Sequence, residues 1–125
     1  YGMGVTRATY VRLASLGAAV LEAGWPVIVD ATFLARWQRD MFRQLARNHG
    51  LPLRILDFQT PAAVLRHRIG ARLGDASEAT PEVLERQLQA AEPLAGRELP
   101  EVVAIAAEAG PAPQSVARRL DESGV

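Results

Sequence analysis

The chain has 125 residues, with 14 basic and 14 acidic side chains and a formal net charge of zero. This length predicts one domain over residues 1–125, large enough to bury roughly two thirds of its unfolded surface. The balanced charge excludes an overall electrostatic footprint for nucleic acid or an anionic membrane. Without cysteine the chain forms neither disulfides nor thiolate metal sites. No apolar stretch reaches transmembrane length, so we expect a cytoplasmic protein.

The basic side chains are all arginine, and the chain contains no lysine. A Schiff-base lysine, or the phosphate-binding lysine of a GxxxxGK[ST] loop, therefore cannot come from these residues. Arginine instead offers rigid bidentate donors that suit carboxylate and phosphate groups. A genome biased towards arginine codons explains the composition equally well, so this feature alone indicates no function.

The first half of the chain predicts two helices around a short strand. Apolar residues recur at helical spacing over Val5–Ala23, and Gly24 is the expected residue after the helix end. A strand is predicted at Val27–Asp30, because an unbroken β-branched run is typical of a strand buried on both faces. A second amphipathic helix is predicted from about Leu34 to Asn48.

The second half predicts two more strands and three helices. In chain order, these are strand Leu53–Phe58, a helix from Pro61 to about Leu73, a helix over Pro81–Ala91, strand Val102–Ala106 and helix Pro113–Leu120. Thr60 and Thr80 each precede a proline, the signal for an N-cap followed by the first helical position. The alternation of elements predicts an α/β fold, a three-layer parallel sheet flanked by helices on both faces.

Asp30 lies at the carboxyl end of the first predicted strand. Open α/β sheets bind their ligands at the carboxyl ends of their strands. A carboxylate there suits the coordination shell of magnesium or the role of a base. Alternatively, Asp30 caps the helix that begins near Leu34, and this segment alone favours neither interpretation.

Three arginines occupy positions that suit phosphate binding. Arg68 and Arg72 are four residues apart, so both project from one helix face towards the polar break Gly74–Ser77. Two guanidinium groups there could clamp a polyphosphate, although a solvated helix face is the alternative. Arg39, on the helix after Asp30, either reaches towards the sheet edge or faces water.

Four segments of the chain occur in the same order as in a known protein family. They are Val27–Leu34 with Arg39, Leu65–Arg72, Gly74–Thr80, and Val83–Leu88 followed by Glu92 and Pro93. Together they resemble the later part of P-loop kinases of the AAA_33 or predicted-kinase type, over roughly residues 6–107. Such modules form the C-terminal half of bifunctional aminoglycoside phosphotransferase and ATP-binding proteins. The stretch Arg68–Pro93 also resembles gluconate kinase.

The resemblance implies roles for individual residues. Asp30 is implied to be the Walker-B-like acid that organises Mg²⁺, with Thr32 beside it. Arg39 is implied to lie on the substrate or phosphate side, and Arg68 and Arg72 to be lid arginines that close over the ATP phosphates. The implied activity is ATP-dependent phosphoryl transfer to a small-molecule acceptor, with ATP and Mg²⁺ bound in the intact parent protein.

The chain departs from this family at its start. The family begins with a strand and a glycine-rich P-loop, and Gly2 and Gly4 do not replace that loop because no GKS or GKT follows. In the family, the P-loop strand lies between the strands that match Val27–Asp30 and Leu53–Phe58. The resemblance therefore implies a partial P-loop NTPase fold that lacks its first strands and is inactive alone.

Two interpretations follow from this departure. The first is the C-terminal portion of an ATP-dependent kinase, whose sheet is completed by a missing N-terminal segment. The alternative is a non-catalytic, kinase-like interaction or dimerisation module, whose sheet is completed by a second copy. Neither nucleic acid nor a membrane is an expected partner.

Overall fold

The computed structural model of the protein describes residues 3–72, 80–107, 110 and 112–124. The chain forms two compact units, Tyr1–Leu53 and Arg54–Val125. Its elements are α1 (Met3–Glu22), α2 (Arg36–Asn48), β1 (Ile55–Gln59), α3 (Ala62–Ala71), α4 (Pro81–Ala90), a 3₁₀ helix (Gly96–Glu101), β2 (Val102–Ala106) and α5 (Pro113–Glu122). The helix or strand type is as predicted for each of these α and β elements, and the 3₁₀ helix was not predicted.

The first unit consists of α1 packed on α2. Gly17 of α1 allows close approach, since a Cβ there would lie 3.4 Å from a methyl group of Leu45 on α2. Tyr10, Phe42 and Ala46 are the buried hydrophobic residues of this unit. Among the residues placed in the structure, no helix is both long enough and apolar enough to cross a membrane.

Helix α1 ends as its sequence predicts. Gly24 has a φ of +86°, a left-handed conformation that glycine adopts without a steric penalty. Its N–H bonds to the carbonyl of Leu21 at 2.9 Å, and the N–H of Trp25 bonds to the carbonyl of Val20 at 3.2 Å. This pair of bonds is a Schellman motif, which satisfies carbonyls that the helix end leaves open.

The prediction of a strand at Val27–Asp30 is wrong. This segment has no regular secondary structure, and its backbone makes no hydrogen bond to any described residue. Ile28 is 89% exposed, so the segment is not buried on both faces. A β-branched run favours extended backbone, but a strand also requires a neighbour to complete its ladder of hydrogen bonds. The three-layer arrangement therefore stays a prediction.

The second unit is built on a two-stranded parallel sheet. Strands β1 and β2 pair in register from Ile55 opposite Val102 to Gln59 opposite Ala106. Val103 and Ile105 are buried, as expected for the inner face of a strand. Helices α3 and α4 lie between the two strands in the chain and form the crossover that a parallel pair requires. The predicted α/β class and the parallel pairing are therefore confirmed.

The two outer edges of this sheet differ. The carbonyl of Gln59 accepts from the N–H of Ala107 at 3.1 Å, so alternate residues of β2 face β1 and Ala104 faces away. The Nη2 of Arg119 on α5 donates to that outward carbonyl of Ala104 at 2.9 Å. By the same alternation Leu56 and Phe58 face the outer edge of β1, where the described residues offer no hydrogen-bond partner. The outer edge of β2 is thus bonded at Ala104, whereas the outer edge of β1 is open with respect to the described residues.

Helix α3 begins one residue later than predicted. Pro61 is its N-cap, with φ −54° and ψ 141°, and no side chain caps the helix. The prediction of Thr60 as N-cap and Pro61 as first helical residue is therefore wrong. Pro61 takes the extended conformation, and its own carbonyl accepts the first helical bonds, from Val64 at 3.0 Å and Leu65 at 3.1 Å.

The predicted cap of α4 is confirmed and gives a first testable prediction. The Oγ1 of Thr80 accepts from the N–H of Val83 at 3.3 Å, and Pro81 occupies the first turn. We expect Thr80→Ala to lower the free energy of unfolding by about 1 kcal/mol, because the N–H of Val83 loses its acceptor. Urea unfolding measures this, with Thr60→Ala, which removes no cap, as the matched control. Equal losses in both variants would contradict the prediction.

Candidate functional site

Asp30 is an exposed carboxylate at the end of the Trp25–Asp30 segment. It makes no hydrogen bond or ion pair with the residues that the structure describes. The N-cap of α2 is Ala35, whose N–H donates to Oε1 of Gln38 at 3.0 Å. The alternative interpretation, in which Asp30 caps this helix, is therefore wrong. Its carboxylate is accessible to a cation.

The loop after Asp30 is held by a tyrosine from α1. Tyr10 is 5% exposed, and its hydroxyl accepts a hydrogen bond from the N–H of Phe33 at 3.1 Å. The same hydroxyl lies 3.4 Å from Oγ1 of Thr32, a residue that is exposed. Tyr10 therefore connects the core of the first unit to the residues just beyond Asp30. Tyr10 is not among the candidate residues predicted from the sequence, since no local signal indicates a contact with a residue 23 positions away.

Arg39 contacts the same loop from α2. It is 5% exposed, and its Nη1 donates to the carbonyl of Phe33 at 2.8 Å and to that of Leu34 at 3.3 Å. The alternative in which Arg39 faces water is therefore wrong. Its predicted contact with phosphate or substrate stays a prediction.

The paired arginines of α3 differ in their surroundings. The Nη2 of Arg68 donates to the carbonyl of Ala107, directly after β2, at 3.0 Å. Arg72 is the C-cap of α3, and its side chain is exposed. The polar break Gly74–Ser77, with Asp75 and Ser77 of the expected lid, lies outside the described residues. That both arginines face this break stays a prediction.

Helices α3 and α4 are joined by an ion pair that the sequence analysis did not identify. Arg66 and Glu85 form a bidentate contact, with Nε–Oε1 at 2.6 Å and Nη2–Oε2 at 3.2 Å. The hydrogen bond from Arg66 lowers the pKa of Glu85, and the same bond raises the pKa of Arg66. Both side chains are solvated, so the pair contributes little to stability. It joins the two helices that flank residues 73–79 by a side-chain contact.

The site residues are divided between the two units. Asp30, Thr32 and Arg39 belong to the first unit, where the loop contacts bring Thr32 and Arg39 around Phe33. Arg68 and Arg72 belong to the second unit, where Arg68 reaches the carboxyl end of β2.

The donor set around Asp30 fits one kind of metal ion. Over the part of the chain that the structure describes, no three His, Asp or Glu side chains group together to form a metal site. Mg²⁺ does not require such a cage, because it keeps several waters and binds one or two carboxylates together with substrate phosphates. Asp30, an exposed carboxylate two residues before the exposed Thr32, fits a magnesium ion that arrives with phosphate.

Comparison with known protein families identifies the family to which the chain belongs. The family model AAA_33, described as an AAA domain, matches residues 2–94, which include Asp30, Thr32, Arg39, Arg68 and Arg72. No curated protein and no solved structure matches the chain. The family match covers α1 to α4 together with β1, so it takes in all of the first unit from residue 2 onwards. The chain belongs to the AAA_33 family of P-loop NTPase-like kinase domains.

Proposed function

We propose that this chain is part of an ATP-dependent kinase that transfers the γ-phosphoryl group to a hydroxyl of a small molecule. The observation that carries the proposal is the family match over residues 2–94, together with an exposed Asp30 on a loop that buried side chains hold. Resemblance to gluconate kinase and to the aminoglycoside phosphotransferase proteins supports a small acceptor. Sugars, sugar acids, nucleotides and antibiotics all remain candidates for it.

The proposed chemistry relies on charge stabilisation. In phosphoryl transfer the charge spreads over the equatorial oxygens, and catalysis consists mainly of positioning and electrostatic stabilisation. Asp30 would hold Mg²⁺ or its water shell, with Thr32 beside it. Arg68 and Arg72 would neutralise the phosphates of ATP, while the acceptor hydroxyl oxygen attacks the γ-phosphorus in line. The bond from that phosphorus to the bridging oxygen breaks, ADP leaves, and the hydroxyl proton is released to water. When bound at Asp30, Mg²⁺ would supply positive charge that reduces the repulsion between the phosphates and the incoming oxygen.

A phosphate cradle is the part that these residues do not supply. The sequence contains no lysine, so the lysine that contacts the phosphates in P-loop kinases has no counterpart here. We propose that residues outside this sequence provide it. The open outer edge of β1, at Leu56 and Phe58, supports the view that a further strand completes the sheet.

This proposal predicts weak nucleotide binding by the 125-residue chain alone. Without the backbone amides and the lysine of a P-loop around the phosphates, Arg68 and Arg72 would attract ATP only as charges in water. We expect calorimetric titration with Mg·ATP to show no binding in the micromolar range. The full-length protein, titrated in the same buffer, is the control and should bind. Micromolar, magnesium-dependent binding to the isolated chain would contradict the prediction.

The activity itself is testable on the full-length protein. We expect ADP release to depend on an added acceptor when the protein is offered Mg·ATP with sugars, sugar acids, nucleosides and aminoglycosides. Mass spectrometry of the acceptor should show the addition of one phosphoryl group. ATP hydrolysis unaffected by every acceptor, or no ADP at all, would reject the proposed transfer.

A second candidate function is supported by the same open edge. Leu56 and Phe58 leave backbone groups of β1 without a partner among the described residues, and such an edge is a template for pairing. The chain would then be a non-catalytic module that dimerises through β1. Light scattering distinguishes this candidate from the first, because a compact, monodisperse monomer argues against edge pairing.

A further inference from the structure

The loop between Asp30 and α2 contains a backbone conformation that is costly for its residue type. Phe33 has a φ of +47°, and no other non-glycine residue among those described has a positive φ. Left-handed backbone is strained for a residue with a Cβ, because the Cβ approaches the carbonyl oxygen that follows it. Such a conformation persists only where the surrounding structure holds it, so its supports are informative.

The backbone of Phe33 is held from two sides. On one side its N–H donates to the Tyr10 hydroxyl at 3.1 Å, and on the other its carbonyl accepts from Arg39 Nη1 at 2.8 Å. Both supporting side chains are buried, each with 5% of its surface exposed. The two bonds reach the same residue from different helices, Tyr10 from α1 and Arg39 from α2.

The ring of Phe33 is held as well. It packs edge-to-face on the ring of Tyr10, with centroids 5.4 Å apart, and on the ring of Phe42 at 5.3 Å. Trp37 in turn packs edge-to-face on the ring of Tyr10, with ring centroids 5.6 Å apart. Rings and backbone bonds together fix Phe33 in one orientation, although Asp30 and Thr32, on its amino-terminal side, remain exposed.

We infer that Tyr10 and Arg39 are positioning residues that hold Phe33 in its left-handed conformation and thereby set the direction in which Asp30 and Thr32 face Mg²⁺ and phosphate. The inference rests on the proposed function for its ligand. In this inference both residues act through Phe33, so the role of Arg39 is positioning in place of the phosphate contact that the family resemblance implies. Their effect is to remove the freedom of a loop that would otherwise present Asp30 in many orientations.

Simple core packing does not account for this arrangement. A core role requires only the ring of Tyr10, and phenylalanine would fill the same space without a hydroxyl to satisfy. A buried arginine likewise costs desolvation energy, which an apolar side chain of similar size avoids. The Tyr10 hydroxyl and Nη1 of Arg39 both bond to the backbone of the same segment, Phe33–Leu34. That segment begins three residues after Asp30.

The first experiment uses Tyr10→Phe, which removes the hydroxyl and keeps the ring. In the unaltered full-length protein we expect amide exchange at Phe33 to be slower than at Ile28, which makes no hydrogen bond to a described residue. Tyr10→Phe should accelerate exchange at Phe33 by about fivefold or more, because the N–H loses its acceptor. Ala46→Gly is the matched control, since it weakens α2 at a buried position and leaves both hydrogen bonds and the ring contacts of Phe33 in place.

The second experiment separates positioning from stability. In the full-length protein we expect Tyr10→Phe to lower kcat by about tenfold or more and to leave the KM for the acceptor within about twofold. Ala46→Gly should lower the melting temperature and preserve kcat below that temperature. Arg39→Lys, which keeps the charge but loses the two-carbonyl geometry, should resemble Tyr10→Phe rather than the unaltered protein.

The outcomes are distinguishable. Unchanged exchange at Phe33 in Tyr10→Phe, or accelerated exchange throughout α1 and α2, would overturn the inference, because Tyr10 would then hold nothing or act only as core. Accelerated exchange at Phe33 with unchanged kcat would also overturn it. If the full-length protein transfers no phosphoryl group to any acceptor, the proposed function fails and the inferred ligand fails with it, although the exchange result still reports whether Tyr10 holds the loop.

Discussion

Asp30→Asn is expected to lower the turnover of the full-length protein by about three orders of magnitude and to leave its folding unchanged. The carboxylate would contribute the negative charge that holds Mg²⁺ against the phosphates, and a neutral amide loses most of that attraction. Folding should be unaffected, because Asp30 is exposed and bonds to none of the described residues. Steady-state kinetics and a thermal unfolding curve measure the two effects.

Asp121→Asn is the matched control for this prediction. Asp121 is also exposed, but it lies on α5 and outside the residues that the family model matches. We expect its substitution to alter neither turnover nor unfolding. If Asp30→Asn retains turnover within about threefold, the proposed role of Asp30 is wrong, since removal of a charged metal ligand costs far more.

The second large effect is expected for Arg72→Ala, which should lower turnover by about two orders of magnitude in the full-length protein. The substitution removes a cation from the developing phosphate charge. Stability should change by less than about 0.5 kcal/mol, because the side chain of Arg72 is exposed. Kinetics at saturating Mg·ATP and urea unfolding measure the two quantities.

Two neighbouring arginines complete this comparison. Arg68→Ala should lower turnover and also the free energy of unfolding, by about 1 kcal/mol, because the carbonyl of Ala107 loses its donor. Arg66→Ala breaks only the solvated pair with Glu85, so we expect turnover within about twofold of the unaltered protein. Equal turnover losses in all three variants would show a general charge effect and contradict the assignment to Arg72.

The elements that the sequence predicted well are those with local signals. Gly24 ends α1 through its own left-handed conformation, and Thr80 with Pro81 starts α4 through contacts three residues away. Strand β2 has the predicted bounds, Val102–Ala106. Signals of this kind act within one helical turn or one short strand, so the local sequence contains the information that determines these elements.

The elements that the sequence predicted poorly depend on distant partners. The Val27–Asp30 run has strand composition, yet a ladder requires a neighbouring strand that composition does not specify. Thr60 and Thr80 precede proline alike, but only Thr80 caps, since Pro61 adopts an extended conformation. Local sequence is the same in kind at both positions, and the surrounding fold decides between them.

The candidate site follows the same division. Exposure of Asp30 agrees with a ligand role that its position after an apolar run predicted. Burial of Arg39 was not predictable, because its partners are backbone carbonyls of a loop whose path depends on Phe33. The contact between Tyr10 and Phe33 spans 23 residues, and no periodicity connects residues so far apart.

The arginine that covers one side of the small sheet has a consequence for assembly. Because Arg119 occupies the outward carbonyl of Ala104, the margin of β2 is a poor template for an incoming strand. Two copies joined symmetrically through their β1 strands would form a sheet whose two outer edges are both β2, where Arg119 bonds to Ala104. If the chain pairs through β1, we therefore expect association by this route to end at a closed pair rather than extend into a fibre.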